Sequence, residues 1–379
     1  MAELRIVPEQ ILNSKDHGNS ILARTPIATG AYQLKSWQAG QELVFERNPY
    51  YWGAPAATAQ IVWRVIPDKM ALAAAVGRQE VDLAPVDGRV WENYLSRKAG
   101  KFLDMCEFNG GRTIYFGFNL ERAPWNDKRV REAFACAIDR GAIVRSLYGG
   151  HAVVPDTDVP LTSWAHIDDV RHVSFAPERA RKLLIDAGYK YNKDGPYQGW
   201  WRDQKRLALR VMTIKDLEEV AQVVADYLKR IDVACEVEVI EYSTLRRSFM
   251  SKGRFDAVVW SRSFGPDPEC TLVWGTKGPL NFCRLSDPKV DQWLKDARTA
   301  PDQKQRKVVY AKLQNYLANE LPWVFIAQPK QIIAFKRGIT GIQKDRQNNA
   351  GLTLVPGVSL DPGLPWDNIA TNASTWLNK

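Results

Sequence analysis

The chain has 379 residues, 45% hydrophobic, 25% charged and 11% aromatic, which suits a two-lobed or single large α/β body and excludes disordered, collagenous and coiled-coil classes. No run approaches the roughly 18 uninterrupted apolar residues of a membrane span, and the opening MAELRIVPEQ has neither the basic nor the apolar region of a signal peptide. The net charge of +9 divides as +1 over residues 1–118, +6 over 119–330 and +2 over 331–379, too diffuse for the basic stripe of a nucleic-acid binder.

Alternating runs at Ala31 to Trp37 and Glu42 to Arg47, joined through Gly40, predict an antiparallel hairpin. A third strand runs from Gln60 to Ile66. Asp68 then caps a helix through Val76, a short strand covers Val81 to Ala84, and Asp87 starts a helix containing Trp91, Tyr94 and Leu95. Arg112 to Phe118 is a further apolar strand. From Asn126 the pattern turns helical, with Val130, Ala133, Phe134, Ala137 and Ile138 at i, i+3, i+4 spacing, followed by a helix from Asp139 to Tyr148 stopped by Gly149. A Pro-rich loop spans Pro155 to Trp164, and Pro177 and Gly188 bracket the next helix. Strand Leu207 to Thr213, helix Asp216 to Arg230, strand Ala234 to Glu241, helix Thr244 to Ser251 and strand Phe255 to Ser261 follow in the order of a parallel α/β layer. Helices Asp287 to Arg298 and Asp302 to Asn319 lead into strand Trp323 to Gln328, and the remainder reads as a tail. The predicted organisation is a sheet-rich first portion (1–118), an α/β portion (119–330) and a C-terminal return with a tail (331–379).

Catalytic signatures are absent: the chain holds no G-x-S-x-G elbow, P-loop, G-x-G-x-x-G or H-E-x-x-H. The four histidines, His17, His151, His166 and His172, sit at spacings that fit no metal site. No catalytic residue, metal or cofactor is therefore assigned. Five cysteines without a C-x-x-C pair leave two options for Cys270 and Cys283, a loop-closing disulfide or two free thiols. The aromatic load is high, with 14 Trp, 13 Tyr and 13 Phe. Trp52, Trp125, Trp164, Trp200, Trp201, Trp260, Phe264, Trp274 and Trp366 fall at strand ends or in loops. They suit either the wall of a small-molecule cleft or ordinary cores and seams.

The segments Thr29-Gly30-Ala31-Tyr32-Gln33-Leu34 and Glu46-Arg47-Asn48-Pro49-Tyr50-Tyr51-Trp52-Gly53 begin a longer pattern. It continues through Val65-Ile66-Pro67-Asp68, Phe116-Gly117-Phe118-Asn119, Asp127-Lys128-Arg129-Val130-Arg131-Glu132-Ala133, Ala137-Ile138-Asp139-Arg140 and Ala176-Pro177-Glu178-Arg179-Ala180 to Asp287-Pro288-Lys289-Val290-Asp291. In order and spacing this resembles extracellular solute-binding protein family 5, the peptide-, dipeptide- and nickel-binding group of ABC importers. The resemblance implies an α/β fold of two lobes about a hinge (type II, Venus-flytrap-like) that closes on a ligand. It further implies a periplasmic setting, ABC permease subunits as partners and no bond-making chemistry. Family members carry about a third more chain before a segment like Ile6 to Leu12, so lobe I is expected to be incomplete, with exposed edges and apolar faces.

In peptide-binding relatives, an acidic residue after the strand ending near Trp260 neutralises the peptide amine. Here Ser263 occupies that column, Arg262 adds a positive charge, and Asp267 could serve if the loop shifts. A guanidinium suits a carboxylate or phosphate; a surface-loop arginine is the other reading of Arg262. The implied ligand loop is Trp260, Ser261, Arg262, Ser263, Phe264 and Asp267, with Arg112 and Asn119 at the hinge and Trp164 in the Pro-rich loop. The expected function is a solute-binding component that captures a small peptide or peptide-like solute. The alternative is a truncated or receptor-like relative that acts as a protein-interaction module without transport.

Overall fold

The computed structural model describes residues 26, 29–56, 58–109, 111–263, 267–340 and 370–371. The expectations for Ile6 to Leu12, His17, Phe264, Trp366 and most of the tail lie outside the described residues. Contacts divide the chain into two units, one drawn from Met1–Cys106, Ile332–Asp345 and Leu360–Lys379, the other from Glu107–Gln331 and Arg346–Ser359.

In the first unit, β1 (Tyr32–Gln38), β2 (Glu42–Arg47) and β3 (Gln60–Arg64) form an antiparallel meander, with Leu43 opposite both Trp37 and Trp63. None of its residues is buried. Helix α1 (Lys69–Gly77) starts where the Asp68 carboxylate accepts the Ala71 N–H at 2.7 Å, satisfying one of the unpaired donors of a first turn. Strands β4 (Leu83–Val86) and β5 (Leu103–Phe108) flank a helical stretch over 88–99, with its middle turn, Trp91–Leu95, wound as a π-helix. Ala73, Val76, Ala84, Leu95, Ala99 and Leu103 make this unit's small core.

The second unit is built on a six-stranded sheet. Its strands in chain order are β6 (Arg112–Phe118), β7 (Ala152–Val153), β11 (Ala208–Thr213), β12 (Ala234–Val239), β13 (Ala257–Ser263) and β14 (Trp323–Pro329). A separate small sheet over 190–206 holds β8 (Lys190–Asn192), β9 (Gly199–Arg202) and β10 (Lys205–Arg206). The large sheet runs β12-β11-β13-β6-β14-β7. β11 is parallel to β12 and β13, as the strand-helix order predicts, while β6 lies antiparallel to both β13 and β14.

Alternation divides the strand residues between two cores, broken on β14 where a register irregularity puts adjacent Ile326 and Ala327 in the same one. Ile114, Phe116, Phe118, Ala257, Val259, Val324 and Ile326 face the first. It is closed by α2 (Lys128–Ala137), α3 (Arg140–Tyr148), α4 (Pro177–Asp186) and α5 (Glu218–Lys229). Tyr115, Val258, Trp260, Trp323 and Phe325 face the second, against α6 (Pro288–Thr299) and α7 (Gln303–Glu320). Because both faces are covered, the strands read as continuous apolar runs rather than alternating ones.

Two expectations change here. Gln331–Lys336, expected within a C-terminal return and tail with no strand of its own, is a strand, β15, seated between β4 and β5 with Ile332, Ile333, Ala334 and Phe335 all buried. Arg262 and Ser263, expected in a loop, are strand residues, because β13 continues to pair with β6 through Arg262↔Thr113 and Ser263↔Arg112. Beyond β15, Ile339–Thr340 (β16) pairs with Ala370–Thr371 (β17).

Candidate functional site

Several of the candidate residues gather at the C-terminal end of β13, which runs four residues past the level at which the neighbouring parallel strands β11 and β12 end. Carboxyl ends of parallel strands are where α/β sheets place their ligands. The geometry splits them by face. Trp260 and Arg262 point to the α6/α7 side, whereas Ser261 shares the opposite side with Arg112, its diagonal neighbour across the strand pair.

On the α6/α7 side, Trp260 is 7% exposed and its ring stacks on Tyr242 at 5.2 Å between centroids. Tyr242 is half exposed and belongs to a helical stretch over 242–250 that follows β12. Glu241 caps that stretch, accepting from the Ser243 and Thr244 N–H groups at 2.8 Å each and from the Ser243 hydroxyl. These bonds, that of the Ser243 N–H first, hold its carboxyl down to about 2. Arg262 is half-buried, and its charge acts inward on Asp158, Tyr115 and Cys270. Asp158, in the Pro-rich loop, is 2% exposed and accepts the Trp274 indole N–H at 2.6 Å. Desolvation raises its pKa above the ordinary carboxylate range, although Arg262 and Trp274 oppose that shift. Arg262 is thus neither a surface-loop arginine nor a side chain aimed away from the protein.

On the other side, the Arg112 Nε donates to the Ser261 hydroxyl oxygen at 2.9 Å. Ser263 lies opposite Arg112 and is exposed. Back on the α6/α7 side, where Thr113 lies opposite Arg262, buried Gln328 of β14 donates to Thr113 at 3.0 Å. At the neighbouring β7–β14 end, the Glu107 carboxylate is gripped by both Lys330 and His151, and these two hydrogen bonds hold its pKa down against burial. Glu107 is the first residue of the second unit and Lys330 lies one before its last residue in that segment, so this cluster sits where the chain enters and leaves.

The remaining candidates lie elsewhere. Asp267 forms a two-pronged ion pair with Arg306, at 2.6 and 2.9 Å, that lowers its pKa. Arg306 also lies over the Trp164 ring at 5.2 Å, and Trp164 meets Tyr310 edge-on. Asn119 is at the far end of β6 from Arg112, about 20 Å away at strand rise. It is 1% exposed, donates to the Gly253 and Phe255 carbonyls at 2.9 and 3.1 Å, and accepts from the Glu121 N–H. Among the other grouped aromatics, Trp125, Trp200 and Trp274 are core side chains and Trp52 is 83% exposed.

Asp158 and Tyr242 were not singled out from the sequence. Only the fold brings their elements to β13. All five cysteines are free and buried, which resolves the Cys270/Cys283 alternative in favour of two thiols. Among the described residues, no cluster of three His, Cys, Asp or Glu side chains could hold a metal ion, and no helix is long and apolar enough to cross a membrane.

A mixed sheet covered on both faces, together with a second, smaller unit of helix and sheet, matches the fold of two-lobed binding proteins of type II. Residues 1–281 match the model for bacterial extracellular solute-binding proteins, family 5 (middle), and the chain belongs to that family. It is 26% identical over 353 residues to the oligopeptide-binding protein AppA of Bacillus subtilis (strain 168), covering 89% of this chain and 63% of AppA. Against the heme-binding protein A of Haemophilus influenzae the identity is 24% over 341 residues, covering 89% and 60%. Against the dipeptide-binding protein of Escherichia coli (strain K12) it is 21% over 325 residues, covering 84% and 59%. The chain thus spans about three-fifths of the length of these curated relatives.

Two solved structures share the fold. Campylobacter jejuni NikZ in complex with Ni(L-His) superposes with a TM-score of 0.76 at 22% identity, covering 96% of this chain and 72% of that one. Bacillus subtilis AppA in complex with a nonapeptide gives 0.75 at 23%, covering 97% and 72%.

Proposed function

We propose that this chain is the solute-binding component of an ABC importer, which captures a peptide or peptide-like solute outside the cytoplasm and delivers it to membrane permease subunits. The observation that supports this reading best, besides family membership, is that the end of β13 carries the Tyr242–Trp260 stack on one face and the Arg112–Ser261 pair on the other. A rigid aromatic wall with a few fixed polar groups is what a small organic ligand needs. Trp260, Ser261, Arg262 and Ser263 line this end, with Tyr242 added; Asp267, Asn119 and Trp164 are assigned to internal packing and ion pairing. No covalent step belongs to this function.

The test is ligand-induced thermal stabilisation against peptides of two to nine residues, with Tyr242→Ala and Trp260→Ala as variants. A ligand at a hundredfold its Kd stabilises the native state by about 2.7 kcal/mol. The wild type is expected to shift and Tyr242→Ala to lose most of that shift. A wild type indifferent to every peptide sinks the proposal. Unchanged affinity in both variants sinks the site assignment alone.

A further inference from the structure

We infer that the solute is recognised through a carboxylate held by Arg112, so that this strand end selects an anionic group over a ligand ammonium. The inference rests on the solute-binding reading above and concerns only the second unit. Arg112 is half-buried at the start of β6, and its Nε bond to Ser261 fixes the plane of the guanidinium. Its two terminal nitrogens make no hydrogen bond or ion pair to any described residue. A guanidinium held by its Nε alone presents a planar pair of donors, which matches the two oxygens of a carboxylate. Ser261 accepts from Nε, which leaves its own hydroxyl proton to donate, and exposed Ser263 lies opposite Arg112 in register.

Among the described residues, the carboxylates named around this end of the sheet are engaged internally. Asp158 lies on the opposite face beneath Trp274, Asp267 is locked to Arg306, Glu241 caps its helix and Glu107 is held by Lys330 and His151. Among the described residues, an incoming ammonium would meet a guanidinium and none of these carboxylates with a free oxygen pair. Arg262 does not duplicate Arg112, because the alternation of β13 turns it to the other face, where its charge acts on Asp158.

The experiment measures calorimetric binding of one tripeptide to the full chain in three forms: free, N-acetylated and C-amidated. It compares the wild type with Arg112→Gln and Arg112→Lys. The free and N-acetylated forms are expected to bind alike and the amidated form at least about tenfold more weakly. Arg112→Gln is expected to erase that difference while the unliganded melting temperature stays put, and Arg112→Lys to restore part of it. Equal binding of acid and amide, loss of binding on N-acetylation, or persistence of the acid preference in Arg112→Gln each overturns the inference and leaves the solute-binding reading intact. If none of the three forms binds, nor any of a set of small dicarboxylates, the solute-binding reading falls and this inference with it.

Discussion

Arg112 and Ser261, 149 positions apart in the chain, are joined by a 2.9 Å hydrogen bond from guanidinium Nε to hydroxyl oxygen. The bond runs diagonally across the β6–β13 pair and sets the direction in which the arginine's terminal nitrogens point. Ser261→Ala removes the anchor and leaves the charge. A hydrogen bond to a charged group contributes about 1.5–3 kcal/mol when buried, and less at a half-exposed site. Ser261→Ala is therefore expected to weaken binding of a carboxylate ligand about fivefold by titration calorimetry, with the unliganded melting temperature within about 2 °C of wild type.

The Glu241 cap makes an acid-labile contact beside the site. Its carboxyl is held down to about 2 in the folded state, whereas an unfolded glutamate titrates near 4.3. Its contribution is therefore present above pH ~4.3 and is lost as pH falls from there towards about 2. Glu241→Gln is expected to flatten stability against pH across that window in thermal melts. An unchanged acid limb would show that the cap contributes nothing to the fold.

Asp158 titrates in the opposite sense. Its folded pKa is raised by desolvation, so the stabilisation linked to its protonated form is complete below an unfolded aspartate's ~3.9 and is lost as pH rises through the raised folded value. Asp158→Asn keeps the shape and an oxygen for the Trp274 indole. The stability of the variant relative to wild type is thus expected to climb as pH rises from about 4 towards neutrality. A difference independent of pH would show that Asp158 titrates normally.

Burial raises the Cys235 and Cys283 thiols to about 12 and the Cys270 thiol well above its ordinary value. At pH 8 a thiol of pKa 12 is only about one part in ten thousand thiolate, the reactive form. With all five cysteines free and buried, a thiol-reactive chromophore is expected to label none in the native chain within minutes and all five after denaturation without reductant. Three per denatured chain would reveal a disulfide.

Arg131, 4% exposed on α2, donates to the Glu320 and Leu321 carbonyls at 2.6 and 3.1 Å and to that of Trp125 at 2.8 Å. It thereby ties α2 to the end of α7, where Leu321 turns into the left-handed region with φ 52°. Arg131→Met strands these carbonyls and is expected to cost about 3 kcal/mol in urea unfolding. A loss below about 1 kcal/mol would place those carbonyls in contact with water.

Local signals in the sequence are sufficient for most elements of the second unit. The caps Asp127, Asp139, Asp287 and Asp302 start helices because a carboxylate satisfies first-turn donors whatever surrounds it. The strand-helix succession from Leu207 onward places β12, β11 and β13 in one parallel group, because such crossovers have one favoured hand. Gln331–Lys336 escaped because a strand paired on both edges and buried on both faces has no alternation to betray it.

The charges at the end of β13 could be counted in the sequence, but the direction each faces could not. Arg262 and Ser261 are adjacent, and one decides the interior of one core while the other holds Arg112 at the edge of the opposite face. That division follows from register, since a slip of a single residue against β6 would exchange the two faces. The order and spacing of its motif segments carried the resemblance to the family, and composition and local pattern determined most of the elements and the presence of spare positive charge. Only the tertiary structure decided which side chain that charge belongs to, because the carboxylates that engage the neighbouring cations Arg306 and Lys330 lie 39 and 223 positions away from them.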